Sequence, residues 1–156
     1  MAAITHVGLA VPDLNKAMDW YRKVFDFRVL AGPFEFNDEE GGPPSMTQDL
    51  QGPEIKKMKS VHLMSSGGVG IELFEFQQPT FSEEMPTPHA GFFHITMVVD
   101  DIVESIERVV QHGGRQRSKM WNINKGKPHY LVYTEDPFGN IIELYSRNTS
   151  EMYGNR

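Results

Sequence analysis

The feature that most constrains this chain is an internal repeat. Thr5-His6-Val7-Gly8-Leu9-Ala10-Val11-Pro12-Asp13-Leu14 overlays Phe93-His94-Ile95-Thr96-Met97-Val98-Val99-Asp100-Asp101-Ile102, each residue falling on the one 88 places later. A second echo joins Ile71-Glu72-Leu73 to Ile142-Glu143-Leu144, with an offset of 71. The two offsets differ by 17, so the first copy is 17 residues longer between its His and its Glu. The surplus belongs most naturally to the Gly/Pro-rich residues 37–59. Units this short bury an apolar face poorly alone, so the two copies are expected to pack together.

Each copy reads strand, helix, then three strands. Alternation over residues 4–11 puts His6 on one strand face and Val7 and Leu9 on the other. Asp13 is a helix N-cap, and Leu14, Ala17, Met18, Tyr21, Val24 and Phe25 follow at helical spacing. Strands are expected over 27–36, 61–64 and 69–76. In the second copy a helix carrying Ile102, Ile106, Val109 and Val110 stops at Gly113-Gly114. Strands over 115–123, 129–133 and 140–146 follow, the last entered by the turn Asp136-Pro137-Phe138-Gly139-Asn140. This gives an α+β chain of two βαβββ modules. They span 1–78 (with an insert at about 37–59) and 92–147, separated by a proline-bearing linker at 79–91 and ending in a loose tail at 148–156.

A net charge of −6 without a Lys/Arg stripe argues against nucleic acid as a partner. No apolar run has transmembrane length and no signal peptide opens the chain, so the expectation is a cytoplasmic protein with no membrane partner. The absence of Cys removes disulfides, thiolate metal sites and Cys nucleophiles.

Within each copy one His lies in the first strand and one Glu in the last, each between apolar neighbours. A carboxylate inside an apolar strand needs solvent, a partner or a cation. If both modules curve alike, His6, Glu72, His94 and Glu143 converge on a concave surface. Two imidazoles and two carboxylates suit a first-row divalent ion, with open positions for substrate. The third strands add a matched pair, Tyr133 ten residues before Glu143 and His62 ten before Glu72. They are candidates for substrate binding. Phe34, Phe36, Phe74 and Phe76 are expected either to line the pocket or to fill core.

The paired motifs resemble the vicinal oxygen chelate superfamily, which includes glyoxalase I, methylmalonyl-CoA epimerase, extradiol dioxygenases and the fosfomycin and bleomycin resistance proteins. The resemblance spans about residues 3–147. It implies a curved eight-stranded mixed sheet around a central metal site, often in a homodimer, with His6, Glu72, His94 and Glu143 as metal ligands. The cofactor it implies is one divalent ion per site, drawn from Ni, Zn, Co, Mn or Fe. Ligands at all four positions resemble glyoxalase I and the epimerase, which move a proton next to a carbonyl of a small-molecule substrate. The base is then Glu143 or Glu72. The positions that hold glutathione in bacterial glyoxalase I are Ala10 and Phe76 here, so that pattern is not met. Alternative implications are an extradiol-type ring-cleaving dioxygenase, in which Tyr133 matches a substrate-contacting tyrosine, and a non-catalytic drug-binding protein.

Overall fold

The computed structural model describes residues 1–38, 45–80 and 90–154. The chain divides into two compact units, Met1–Glu83 and Glu84–Arg156. The first contains β1 (His6–Ala10), α1 (Leu14–Phe25), β2 (Arg28–Asn37), α2 (Met46–Gln51), β3 (Lys57–Met64) and β4 (Gly70–Gln78). The second contains β5 (His94–Val98), α3 (Ile102–Gln111), β6 (Arg115–Gln116), β7 (Trp121–Asn122), β8 (Tyr130–Glu135), β9 (Ile141–Tyr145) and α4 (Thr149–Tyr153).

Both units are α+β, and both follow the βαβββ order that the repeat predicts. The sheet of the first unit runs β1-β4-β3-β2, and that of the second β5-β9-β8-β6 with β7 also on β8. The first strand of each unit pairs in parallel with its last, and the remaining pairs are antiparallel. A parallel pair needs a long crossover, and the helix supplies part of it. Asp13 caps α1 by accepting from the Lys16 N–H, and Asp101 caps α3 by accepting from Val103 and Glu104. His112 closes α3, its Nδ1 lying 2.8 Å from the Arg108 carbonyl.

One face of each sheet is dry. In the first unit α1 packs on β3 and β4, and Leu14, Tyr21, Val61, Leu63, Ile71 and Leu73 are buried. In the second α3 packs on β6 and β8, over Val109, Val132, Ile142 and Leu144. Each such side chain contributes roughly 1.5–3 kcal/mol.

Three segments differ from expectation. The strand expected over 115–123 is broken into β6 and β7, because the N–H groups of Arg117 and Ser118 both donate to the Tyr133 carbonyl. Two residues opposite one make a bulge and end the pairing. The strands therefore number nine among the described residues, not eight. The insert, expected as loop, holds α2, started by a capping box between Ser45 and Gln48. Its residues 39–44, like 81–89 of the linker, lie outside the described residues. The tail, expected loose, forms α4: Asn148 caps it and Met152 is buried.

Gly114 shows how tightly α3 meets β8. A Cβ there would collide with the Glu135 carbonyl oxygen and stand 2.8 Å from Val109 Cγ1. Gly114→Ala is therefore expected to cost about 2 kcal/mol, read as a lower denaturation midpoint with an unchanged slope.

Candidate functional site

Alternation sends the apolar residues of β1, β3 and β4 toward α1 and leaves His6, His62 and Glu72 on the opposite face. Gly8 pairs with Glu72, and Glu72 pairs with His62. His6 itself pairs with Gly70. A Cβ at Gly70 would stand 2.7 Å from the Leu63 carbonyl oxygen, so only hydrogen fits there. The His6 side chain reaches diagonally, bringing Nε2 to 3.5 Å from Glu72 Oε2. His62 Nε2 stands 3.2 Å from the other oxygen, Oε1. The two imidazoles meet edge to face, 5.9 Å between centroids. Thr5 Oγ1 lies 3.2 Å from His6 Nδ1.

The second unit repeats this register with different side chains. Thr96 takes the place of Gly8 and Tyr133 that of His62, both directly opposite Glu143. The Thr96 hydroxyl donates to Glu143 Oε2 at 2.8 Å, and His94 Nε2 stands 3.4 Å from the same oxygen. The His94 and Tyr133 rings are 5.4 Å apart. Glu143 is the more enclosed carboxylate, its side chain 9% exposed against 19% for Glu72.

Two phenols border Glu143. Burial, then the Glu143 charge, raises the Tyr133 pKa above its ordinary value. Burial also raises that of Tyr145, helped by a 3.2 Å hydrogen bond with Tyr153 of α4 and by Glu143. Both phenols therefore stay protonated at neutral pH.

Beyond Glu72, the same face of the first sheet turns apolar. Ile55, Met58 and Phe74 form a buried cluster with Phe36 and Phe76 against it. These aromatics are core, whereas Phe34 stays exposed with its edge toward His62, 6.4 Å between centroids. Glu54, Lys125 and Lys127 are exposed. His89 lies outside the described residues.

The donors thus gather around each Glu, within each unit. Among the described residues no group of three or more His, Asp or Glu side chains is placed to hold a metal ion. The donor chemistry of each pair nevertheless fits one edge of a divalent site. Ligands at about 2.1 Å from an ion and at right angles to each other stand about 3.0 Å apart. The His–Glu separations of 3.5 and 3.4 Å are within about half an ångström of that. Supporting contacts exist for His6, through Thr5, and for Glu143, through Thr96. His94 Nδ1 is buried without a partner among the described residues.

Residues 3–144 match the model of the glyoxalase/bleomycin resistance protein/dioxygenase superfamily. The chain belongs to this superfamily. It is 26% identical over 144 residues to lactoylglutathione lyase of Escherichia coli O157:H7, covering 90% of each chain. With the lactoylglutathione lyase of Schizosaccharomyces pombe it shares 25% identity over 159 residues, 97% of this chain but half the length of that enzyme. With mitochondrial methylmalonyl-CoA epimerase of Dictyostelium discoideum it shares 26% over 142 residues, 90% of this chain and 76% of that one. A glyoxalase family protein of Bacillus cereus has the same fold, with a TM-score of 0.76 at 18% identity and 93% of each chain covered. So does a mutant of the fosfomycin resistance protein FosX of Listeria monocytogenes, solved with Mn(II) and 1S,2S-dihydroxypropylphosphonic acid (TM-score 0.62, 16% identity, 97% of this chain and 95% of that one).

Thr96 lies two residues after His94 and so shares its strand face, a signal that alternation alone carries. No local pattern marks Arg115, Arg117 and Glu135 as a group. Glu135 is buried, and Arg115 and Arg117 both bond its carboxylate. The Arg115 hydrogen bonds first, and Arg117 next, hold the Glu135 pKa below the ordinary carboxylate range against the opposing effect of burial. A carboxyl whose folded value lies below its unfolded value stabilises the fold fully above the unfolded value. That contribution is lost as pH falls through the folded value. Glu135→Gln is expected to cost about 2 kcal/mol at neutral pH. The gap to the parent should close on acidification below the carboxylate range, as read by denaturant titrations at the two pH values.

Proposed function

We propose that this glyoxalase-superfamily chain is a divalent-metal-dependent lyase or isomerase that moves a proton next to a carbonyl of a small oxygenated substrate. The observation that carries the reading is the His–Glu pair repeated on the open face of each unit in the same register: His6 with Glu72, and His94 with Glu143. Accidental strand histidines would not each find a glutamate one diagonal away. The lyase and epimerase relatives support the same class of chemistry.

Each His–Glu pair would offer two ligands to a divalent ion, which when bound supplies Lewis-acid stabilisation of negative charge on substrate oxygen. The chain's own residues do the rest. Thr96 fixes one Glu143 oxygen by its hydroxyl. Glu72 has no hydroxyl opposite it, because Gly8 stands there, and it is the more exposed carboxylate. We assign the proton transfer to Glu72 and the static support to Glu143. Tyr133, kept protonated by burial and by Glu143, is positioned as a hydrogen-bond donor to a substrate oxygen. His62 orients Glu72 through Oε1. Ala10 and Phe76, with Phe76 stacked on Phe74, offer no polar hold for glutathione.

A second reading, the extradiol-type dioxygenase, draws on Tyr133 lying against His94 and opposite Glu143. Its ligand pattern needs only three of the four positions, and the intact Glu72 weighs against it. The four intact positions weigh equally against a non-catalytic drug-binding protein.

The purified protein is expected to carry about one divalent ion per pair of modules by elemental analysis. His94→Ala should strip it, and Thr96→Val should weaken Mn(II) binding about tenfold or more. Full metal occupancy in His94→Ala would sink the site. With substrate, transfer of solvent deuterium to the carbon next to the carbonyl marks the lyase or isomerase. Oxygen consumption with a catechol marks the dioxygenase.

A further inference from the structure

The second unit has a cleft that the His–Glu pair does not use. Its volume is about 480 Å³, and it lies where the chain enters β8 and leaves β9. Lys127 and His129 come to it from the entry to β8, and Arg147, Ser150 and Glu151 from the exit of β9 and from α4. Antiparallel pairing brings the two segments together, and Ser146 stitches them. Its N–H donates to the Tyr130 carbonyl at 3.0 Å. Its hydroxyl donates to the Pro128 carbonyl at 2.8 Å and accepts from the Tyr130 N–H at 2.9 Å. The loop before His129 is equally fixed. The Lys127 N–H donates to the Asn124 carbonyl and the Asn122 side chain donates to the Lys127 carbonyl, both at 3.0 Å. Arg147 comes four residues after Glu143, and between them stands Tyr145, buried and tied to Tyr153.

His129 is the group that calls for a ligand. It is 7% exposed, yet neither ring nitrogen has a hydrogen-bond partner among the described residues, and Nδ1 is fully buried. Buried polar side chains almost always have a partner, and one that finds none in the protein is a place where a ligand can supply it. Because Nδ1 is closed to solvent, the ring meets the cleft through its Nε2 edge. Orphaned buried N–H groups are rarer than orphaned acceptors, which assigns the ring proton to Nε2. The neighbouring cations are open too. The Lys127 ammonium has no partner among the described residues. Arg147 uses one of its five N–H donors, Nη1 to the Ser146 carbonyl at 2.6 Å. Glu151 is the one carboxylate of the lining, so two cations leave the cleft net positive.

An ammonium, a guanidinium fork and an imidazole N–H together suit a group with three or more acceptor oxygens. A phosphate has them, whereas a carboxylate has two. A cleft of this volume takes a small molecule rather than a bare ion. Glu151 repels the anionic oxygens, so the uncharged arm of an ester belongs on its side. We propose that the cleft binds the phosphate group of a small phosphate monoester through Arg147, Lys127 and His129. None of these residues belongs to the His–Glu pairs, so this site stands or falls apart from the function proposed above.

The test titrates the full chain with ethyl phosphate, inorganic phosphate and acetate. Binding is read by calorimetry and by the shift of the His129 ring resonances. Ethyl phosphate is expected to bind saturably and more tightly than acetate. Arg147→Met should weaken it about tenfold or more. Arg147→Lys, which keeps the charge and loses the fork, should fall between. Glu151→Gln, which removes the opposing charge, should tighten inorganic phosphate severalfold. Lys57→Ala, which removes an exposed cation of the first unit, should leave binding unchanged, and so should His94→Ala. Circular dichroism confirms that each variant folds, and Arg147→Lys carries the comparison if Arg147→Met does not. Absence of saturable binding overturns the proposal. Equal weakening by Arg147→Met and Lys57→Ala also overturns it, since that marks general charge attraction. Loss of binding in His94→Ala does the same, because the phosphate would then sit at the His–Glu pair. Acetate binding as tightly as ethyl phosphate overturns the choice of a phosphate.

Discussion

The parallel pairing of the first strand of each unit with its last governs everything else on the open faces. That pairing requires a crossover, and the helix in the crossover covers one side of the sheet. The covered side takes the apolar residues of every strand, Ile71, Leu73, Ile142 and Leu144 among them. The uncovered side then takes whatever stands between them. In both units the register sets the Glu opposite the residue two places after the His. His and Glu are thus diagonal neighbours, and their side chains lean together until nitrogen and oxygen are about one coordination edge apart. A slip of one residue would turn both into the core, where neither could be satisfied.

Backbone symmetry coexists with side-chain asymmetry. Gly8 faces Glu72 where Thr96 faces Glu143, and His62 stands where Tyr133 does. One carboxylate therefore sits between two imidazoles with a glycine opposite it. The other is tied to a hydroxyl, bordered by phenols and more deeply enclosed. Equal residues in equal registers acquire unequal freedom, which is what a site needs if one carboxylate is to hold still while the other moves.

Much of this was written in local patterns. The repeat, the Asp13 and Asp101 caps and the alternation around each His and Glu are short-range features, and each produced the element it predicts. The α2 helix was also readable, since Ser45-x-x-Gln48 is a capping box, but the glycines and prolines around it pointed to loop. Thr96 was readable by the same alternation that placed His94. The break in the strand after Gln116 was not, because nothing in residues 115–123 taken alone shows that two of their N–H groups share one carbonyl across the sheet.

The sequence by itself determined the order of elements, the dry face of each sheet and the residue types on the other face. These follow from periodicity and capping, which act over a few residues. Only the tertiary structure decided which side chains meet. Arg117 reaches Glu135 from 18 positions away, and Tyr145 meets Tyr153 because Met152 anchors a helix where a loose tail was expected. Register, bulges and the docking of a short helix are set by the free energy of the packed whole, and no local window of sequence contains it.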